Sequence, residues 1–258
     1  MSSRIAVRVL HSARHEQRWN YPSLAAPYWR FYWNRSGCAW VTTGGTRVAI
    51  EPHRGYLIPP DTPFSSHSDG PIDHFYVHFT VSGLSVEVRP GVYALERSDR
   101  LAALLEPLPS DRTHCAGLVL IALAQLPDSA TDPVSDDPVV RSAIDFIERN
   151  LDRSITAAEL ARAAGIGERT LRRRFNDAMN QTPAAFSTLR RIEHACILLH
   201  FSEFSVDEIA ARTGFCDRYH LSRVFRRLRG MGPAAFKRVA LETNPPIPDR
   251  ADSAQPFP

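Results

Sequence analysis

The chain has 258 residues, 43% of them hydrophobic and 23% charged, with 31 Lys+Arg against 28 Asp+Glu and a formal net charge of +3. Such a composition supports one or two packed domains and excludes a wholly disordered chain. Residues 1–7 lack the apolar core of a signal peptide, and no run reaches the roughly 18 apolar residues of a membrane span, so a cytoplasmic protein with no membrane partner is expected.

Residues 1 to about 95 alternate short runs rich in Val, Ile, Tyr, Trp and Phe with Pro, Gly, Asn and Asp, a pattern that predicts many short strands. The candidates are 28–33, 38–42, 46–50, 55–58, 74–80 and 84–88. Thr43-Gly44-Gly45 suits a hairpin turn and 59–63, with three prolines, a rigid corner. A β-barrel or a double-sheet sandwich follows. On the strand 74–80, His74, Tyr76 and His78 share one face and Phe75, Val77 and Phe79 the other. Either the histidine face lines an interior pocket or the Phe/Val face fills the barrel and the histidines are surface groups. The run Tyr28-Trp29-Arg30-Phe31-Tyr32-Trp33 is a second candidate lining. Aromatic faces stack on sugar rings and Arg30 can hydrogen-bond a hydroxyl or carboxylate, although an aromatic strand is also ordinary core.

From about residue 98 the apolar period becomes helical. Leu101, Leu104, Leu105 and Leu108, then Leu118, Ile121, Ala122 and Leu126, form stripes that can cover the barrel or a second subunit. Residues 128–138 are Pro-, Ser- and Asp-rich and read as a linker, and 242–258, with five prolines, as a disordered tail. Cys38, Cys115, Cys196 and Cys216 are scattered without a C-x-x-C, which favours buried thiols over a disulfide frame or zinc site.

The charge is sorted along the chain. Residues 139–241 hold 18 basic and 11 acidic side chains, net +7, which leaves 13 and 17, net −4, elsewhere. A basic half joined to an acidic half points to a polyanion-binding module carried by one that does not bind polyanions. Within the basic half one pattern occurs twice, 49 to 50 residues apart. Glu159-Leu160-Ala161, Gly165, Leu171, Phe175 and Pro183-x-x-Phe186 are matched by Glu208-Ile209-Ala210, Gly214, Leu221, Phe225 and Pro233-x-x-Phe236. Two copies are too few for a solenoid, so each is read as a helix-turn-helix. In the first, Ser154 or Thr156 can cap the leading helix; in the second helix Leu171 and Phe175 face inward while Arg169, Arg172, Arg173 and Asn176 face out. In the second copy Leu221, Val224 and Phe225 face inward, and Tyr219, Ser222, Arg223 and Arg226 face out. An arginine fork suits guanine O6 and N7 in the major groove.

These residues, across roughly 140–240, resemble the DNA-binding domain of the AraC/XylS family of bacterial transcription regulators. The resemblance rests on Ile209-Ala210 through Gly214-Phe215, on Phe175 and Phe225, on both Pro-x-x-Phe closures and on Arg190-Arg191-Ile192, Ala195 and Leu198-Leu199 as a connecting helix. It implies that Arg169, Arg172 and Arg173, then Tyr219, Ser222 and Arg223, contact bases, and that the two reading helices enter successive major grooves. Gly167 stands where the family usually has Ser, Asn180 where it usually has Gly, and Gly232 where it usually has Ser.

More weakly, 55–63 followed by His74 to Phe79 resembles the family's cupin-type effector domain, and by that resemblance His74 and Tyr76 face the ligand. The expected architecture is therefore a cupin-like effector-binding and dimerisation domain (1–127), a linker (128–138), an all-α double helix-turn-helix domain (139–241) and a tail (242–258). The candidate site residues are Arg169, Arg172, Arg173, Asn176, Tyr219, Ser222, Arg223 and Arg226 for DNA, and Trp29, Arg30, His74 and Tyr76 for ligand. The implied partners are double-stranded DNA, a small-molecule effector such as a sugar, a second copy of the chain and RNA polymerase; no cofactor is expected. An effector-independent regulator whose barrel only dimerises is the alternative. A metal-dependent cupin enzyme is disfavoured, because the sequence has no H-x-H pair and Phe64 stands in the corner where a ligand histidine belongs.

Overall fold

The computed structural model describes residues 5–22, 25–83, 86–133, 135 and 137–243. Among these, nine strands come first: β1 (Ala6–Gln17), β2 (Trp29–Ser36), β3 (Ala39–Thr43), β4 (Thr46–Ile50), β5 (Gly55–Ile58), β6 (Ser65–Ser68), β7 (Ile72–Ser82), β8 (Val86–Val88) and β9 (Tyr93–Ala94). They build a five-stranded antiparallel sheet, β1-β7-β2-β5-β9, and a three-stranded one, β4-β3-β6. Gly44 and Gly45, at φ 53° and 77°, close the β3–β4 hairpin in the left-handed region that a two-residue primed turn needs.

β2 and β7 form the centre of the large sheet, and their register sorts the side chains. Arg30 lies opposite His78, Tyr32 opposite Tyr76 and Asn34 opposite His74 on one face; Trp29 opposite Phe79, Phe31 opposite Val77 and Trp33 opposite Phe75 occupy the other. Both faces are buried. The Trp/Phe/Val face is roofed by α1 (Asp99–Leu105) and α2 (Arg112–Leu123), whose Leu101, Leu105, Cys115, Leu118 and Ala122 share its apolar cluster. On the other face Tyr32, Tyr56, Ile58 and Tyr76 pack against Ala39, Val41 and Ile50 of the small sheet.

The two sheets face each other, and among the described residues they are linked by isolated bridges, Tyr21 with Ser66 and Asn34 with Pro52, and not by the continuous ladder of the expected cupin-like closed barrel. Tyr21, just past β1, and Ser66 of β6 exchange backbone hydrogen bonds of 3.2 and 3.1 Å, so the sheets touch at one edge. The helical stripes of 98–127 are used against the sheet, although Leu120 of α2 stays 44% exposed.

The segment read as a linker is partly built into the fold. A 3-10 turn, Asp128–Ala130, leads into β10 (Thr131–Pro133), antiparallel to β8, and Arg89 forks onto Asp132 with contacts of 2.8 and 2.6 Å. The strand expected over 84–88 is present as Val86–Val88, its first two residues lying outside the described ones, as do residues 244–258 of the expected tail.

The helical half comprises α3 (Pro138–Glu148), α4 (Ala157–Ala163), α5 (Glu168–Met179), α6 (Pro183–Phe201), α7 (Val206–Arg212), α8 (Arg218–Arg229) and α9 (Pro233–Thr243). It has two cores. Val140, Ala143, Ile147, Leu160, Leu171 and Phe175 make the first, while Ile192, Leu199, Ile209, Leu221, Phe225 and Phe236 make the second. α6 serves both, lending Phe186 to the first and its C-terminal half to the second. The end of α6 then meets the sandwich, where Ile197 and Phe201 pack on Leu10, Ala26 and Tyr28. No described helix is long and apolar enough to cross a membrane.

Candidate functional site

Each repeated unit begins with a capping box. The Thr156 hydroxyl accepts from the Glu159 backbone N–H, and the Thr156 backbone N–H donates to Glu159 Oε2 at 2.8 Å; Ser205 and Glu208 repeat the exchange, the Ser205 N–H donating at 2.8 Å. The Thr156 backbone and hydroxyl, with Arg153 beyond them, pull the Glu159 carboxyl down to about 2, so the cap is charged at any ordinary pH. The turns follow at Gly165 (φ 70°) and Gly214 (φ 67°). Asp217 then caps α8 by accepting from the His220 N–H at 2.7 Å, whereas Gly167 gives α5 no side-chain cap.

The last buried residue of each reading helix meets the phenylalanine of its Pro-x-x-Phe closure edge-on. Phe175 and Phe186 lie 5.5 Å apart at 68°, Phe225 and Phe236 5.5 Å apart at 71°. These pairs pin both helices by their inward faces, so the opposite faces are presented to solvent. Arg169, Arg172, Arg173 and Asn176 of α5 are exposed, as are Tyr219, Arg223 and Arg226 of α8; Ser222 is half-buried. Tyr219 is 71% exposed, with the Arg218 guanidinium carbon 4.8 Å from its ring centroid.

Other arginines of this half are structural. Arg174, on the flank of α5, forks onto Asp137 at 2.6 and 2.8 Å and ties the helix to the N-cap of α3. Arg190 pairs with Glu148 at 2.6 Å and with Glu193. Arg191 lies over the Phe215 ring at 4.3 Å and its Nε donates to the Thr213 carbonyl at 2.5 Å, which holds the second turn against α6. Arg229, in the last turn of α8, reaches Asp61 of the sandwich at 2.7 Å. Sequence reasoning missed that contact; the one signal available was a rigid Pro-Asp corner, and nothing in it pointed to a partner 168 residues away.

A helix-turn-helix domain family matches residues 160–238. A putative AraC-like transcription regulator of Streptomyces antibioticus is 35% identical over 132 residues, which cover 48% of this chain and 44% of that protein. The HTH-type transcriptional activator Btr of Bacillus subtilis is 25% identical over 211 residues, 73% of this chain and 40% of Btr. The helix-turn-helix segment is thus similar to those of AraC-like transcription regulators. The chain spans less than half the length of either of these two relatives. The crystal structure of ToxT from Vibrio cholerae superposes over 91% of this chain and 98% of its own with a TM-score of 0.51 at 14% identity, a likeness of fold. The matched segment 160–238 runs from the first helix-turn-helix into α9.

In the sandwich, Arg30, His74 and Tyr76 come together on the inner face, joined by Tyr32, Asn34 and His78. Trp29 does not join them: it is on the opposite face, stacked on Phe79 with ring centroids 6.0 Å apart under α2. β-strand alternation from Arg30 carried that signal. His74 Nδ1 donates to Asn34 Oδ1 at 2.7 Å, and the Trp19 and Tyr32 rings flank it at 4.8 and 4.9 Å. Burial pushes His74 and His78 well below the usual histidine range; His15 adds to the effect on His74 and Arg30 to that on His78, so both are neutral imidazoles at pH 7. Asp73, at the end of β7, is held by Arg14 at 2.7 Å on the far side of the ladder.

Proposed function

We propose that the protein is a sequence-specific DNA-binding transcription regulator whose β-rich half responds to a small-molecule effector and joins two copies of the chain. The observation that carries the DNA-binding reading is the pair of capped helix-turn-helix units pinned by matching Phe–Phe contacts, the first to α6 and the second to α9, each with an outward arginine face. A merely solvated face has no reason to recur after the same cap and turn. Arg169, Arg172, Arg173 and Asn176 read one half of the site and Tyr219, Ser222, Arg223 and Arg226 the other, with successive major grooves as their targets.

The effector reading draws on the inner face of β2 and β7, which carries Arg30, His74 and Tyr76 and meets the contact with α6 at Arg30 and His78; a sugar is one candidate class. An effector acts only through different affinities for two arrangements of the protein. The exposed Leu120 of α2 supports that helix as part of a contact between copies. RNA polymerase is the further partner such a regulator would engage. Selection of DNA from a random duplex library by the full chain, followed by fluorescence anisotropy on the selected and a scrambled sequence, tests the reading. A selected site bound about 10³-fold or more tighter than scrambled DNA at physiological salt is the expected result, and equal affinities would overturn it.

A further inference from the structure

The inner face of the sandwich holds a cation with no counter-ion among the described residues. Arg30 is 5% exposed, and its guanidinium carbon lies 4.7 Å from the Tyr28 ring centroid and 5.0 Å from that of Phe64. Its Nη1 is buried and has no hydrogen-bond partner among the described residues. The carboxylates on flanking segments are engaged elsewhere, Asp61 with Arg229 and Asp73 with Arg14. The imidazoles on the same face are neutral. A guanidinium cannot shed its proton to escape burial, and two aromatic faces compensate the charge only in part. A second donor on this face is also unmet: Asn34, fully buried, gives its Oδ1 to His74 but its Nδ2 finds no acceptor among the described residues.

We infer that Arg30 is the anchor for the carboxylate of a small monoanionic ligand, held by the guanidinium fork in place of Phe64, with the ligand's body on the Tyr32 and Tyr76 rings. This deepens the effector reading above and rests on it, giving the effector a charge. A carboxylate matches the fork and neutralises the single positive charge, which a neutral sugar leaves uncompensated. Phe64 is the movable wall, being half-buried at the end of the 59–63 corner while Tyr28 is held by α6. Occupation would be felt by the helical half, because Tyr28 contacts both Arg30 and His200 of α6.

The test is thermal shift and calorimetry on the full chain with a panel of small monocarboxylates (benzoate, salicylate, phenylacetate, hexanoate), their methyl esters, and neutral monosaccharides, repeated on Arg30→Met. At least one acid should stabilise the wild type saturably, its ester should not, and Arg30→Met should weaken that acid at least 100-fold while melting, without ligand, no lower than the wild type. Arg30→Lys, which keeps the charge without the fork, should weaken the acid at least tenfold. A response to monosaccharides but to no acid overturns the carboxylate assignment and leaves the effector reading standing; silence from every compound sinks both. An acid response that survives in Arg30→Met, or a drop in its ligand-free melting temperature, shows Arg30 to be a structural residue and overturns the proposal.

Discussion

The Tyr28 hydroxyl and His200 Nδ1 lie 3.0 Å apart, one from the strand edge of the sandwich and the other from the last turn of α6. Around them Phe201 packs edge-on against Tyr28 at 5.1 Å and lies 6.0 Å from His78. The helix that carries both helix-turn-helix units therefore ends on the inner face where Arg30 and His78 stand. Tyr28→Phe removes the hydroxyl and keeps the ring. It should cost about 0.5–1.5 kcal/mol in denaturant unfolding, while Tyr28→Ala, which also opens a cavity between the halves, should cost about 3–5 kcal/mol. Indistinguishable midpoints for wild type and Tyr28→Ala would show that this joint contributes nothing to stability.

Arg173→Ala and Arg223→Ala remove exposed forks from α5 and α8 without touching either core. Each should weaken a selected DNA site by about 1–3 kcal/mol and relax the base preference at one position, with unchanged melting temperature. Anisotropy titrations on selected and scrambled duplexes separate the roles: a loss of equal size on both would assign the arginine to phosphate.

The two turn glycines are matched in sequence but not in surroundings. Both have positive φ, yet a Cβ on Gly165 would meet open space, while one on Gly214 would stand 2.6 Å from the Arg153 carbonyl carbon. Gly165→Ala should therefore cost only the left-handed backbone term, about 1–2 kcal/mol, and Gly214→Ala distinctly more, because rigid backbone must shift. Urea unfolding of the two variants checks the order; equal losses would show that the Arg153 loop gives way freely.

His74 and His78 stay neutral when folded, and a histidine in the unfolded chain titrates near 6.5. Below that value the unfolded state takes up protons that the folded state refuses. Stability is thus fully present above about pH 7 and falls as pH drops from 6.5 toward the lower folded values. The slope is up to about 1.4 kcal/mol per pH unit for each histidine. Melting temperatures between pH 8 and 5 should fall for the wild type and flatten for His74→Gln/His78→Gln; parallel curves would place the sensitivity elsewhere.

Much of the helical half was legible before any coordinates. Leu171 and Phe175, or Leu221 and Phe225, can only be buried together at helical spacing, and Thr156-x-x-Glu159 and Ser205-x-x-Glu208 are local caps that form within one turn. β1 was missed because Ala6–Gln17 carries Arg, His and Glu on both faces; its place comes from backbone pairing with β7, which side-chain pattern does not encode. β10 was missed for a similar reason, its pairing with β8 and the Arg89–Asp132 fork being non-local.

Local chemistry, legible from the linear chain alone, sufficed for the doubled helix-turn-helix, its outward arginines and the alternation that puts Arg30, His74 and Tyr76 on one side of their strands. Other features depend on contacts between residues tens to more than a hundred positions apart. They include which side of the large sheet faces the small one, which arginines are tied up at Asp137, Glu148 and Asp61, and that Arg30 Nη1 meets no hydrogen-bond partner among the described residues. Periodicity reports only what lies within a few residues of itself. The joining of Tyr28 to His200 and of Asp61 to Arg229 is set by how the sandwich packs on the end of α6, because burial of apolar surface is non-directional and selects its partners only in three dimensions.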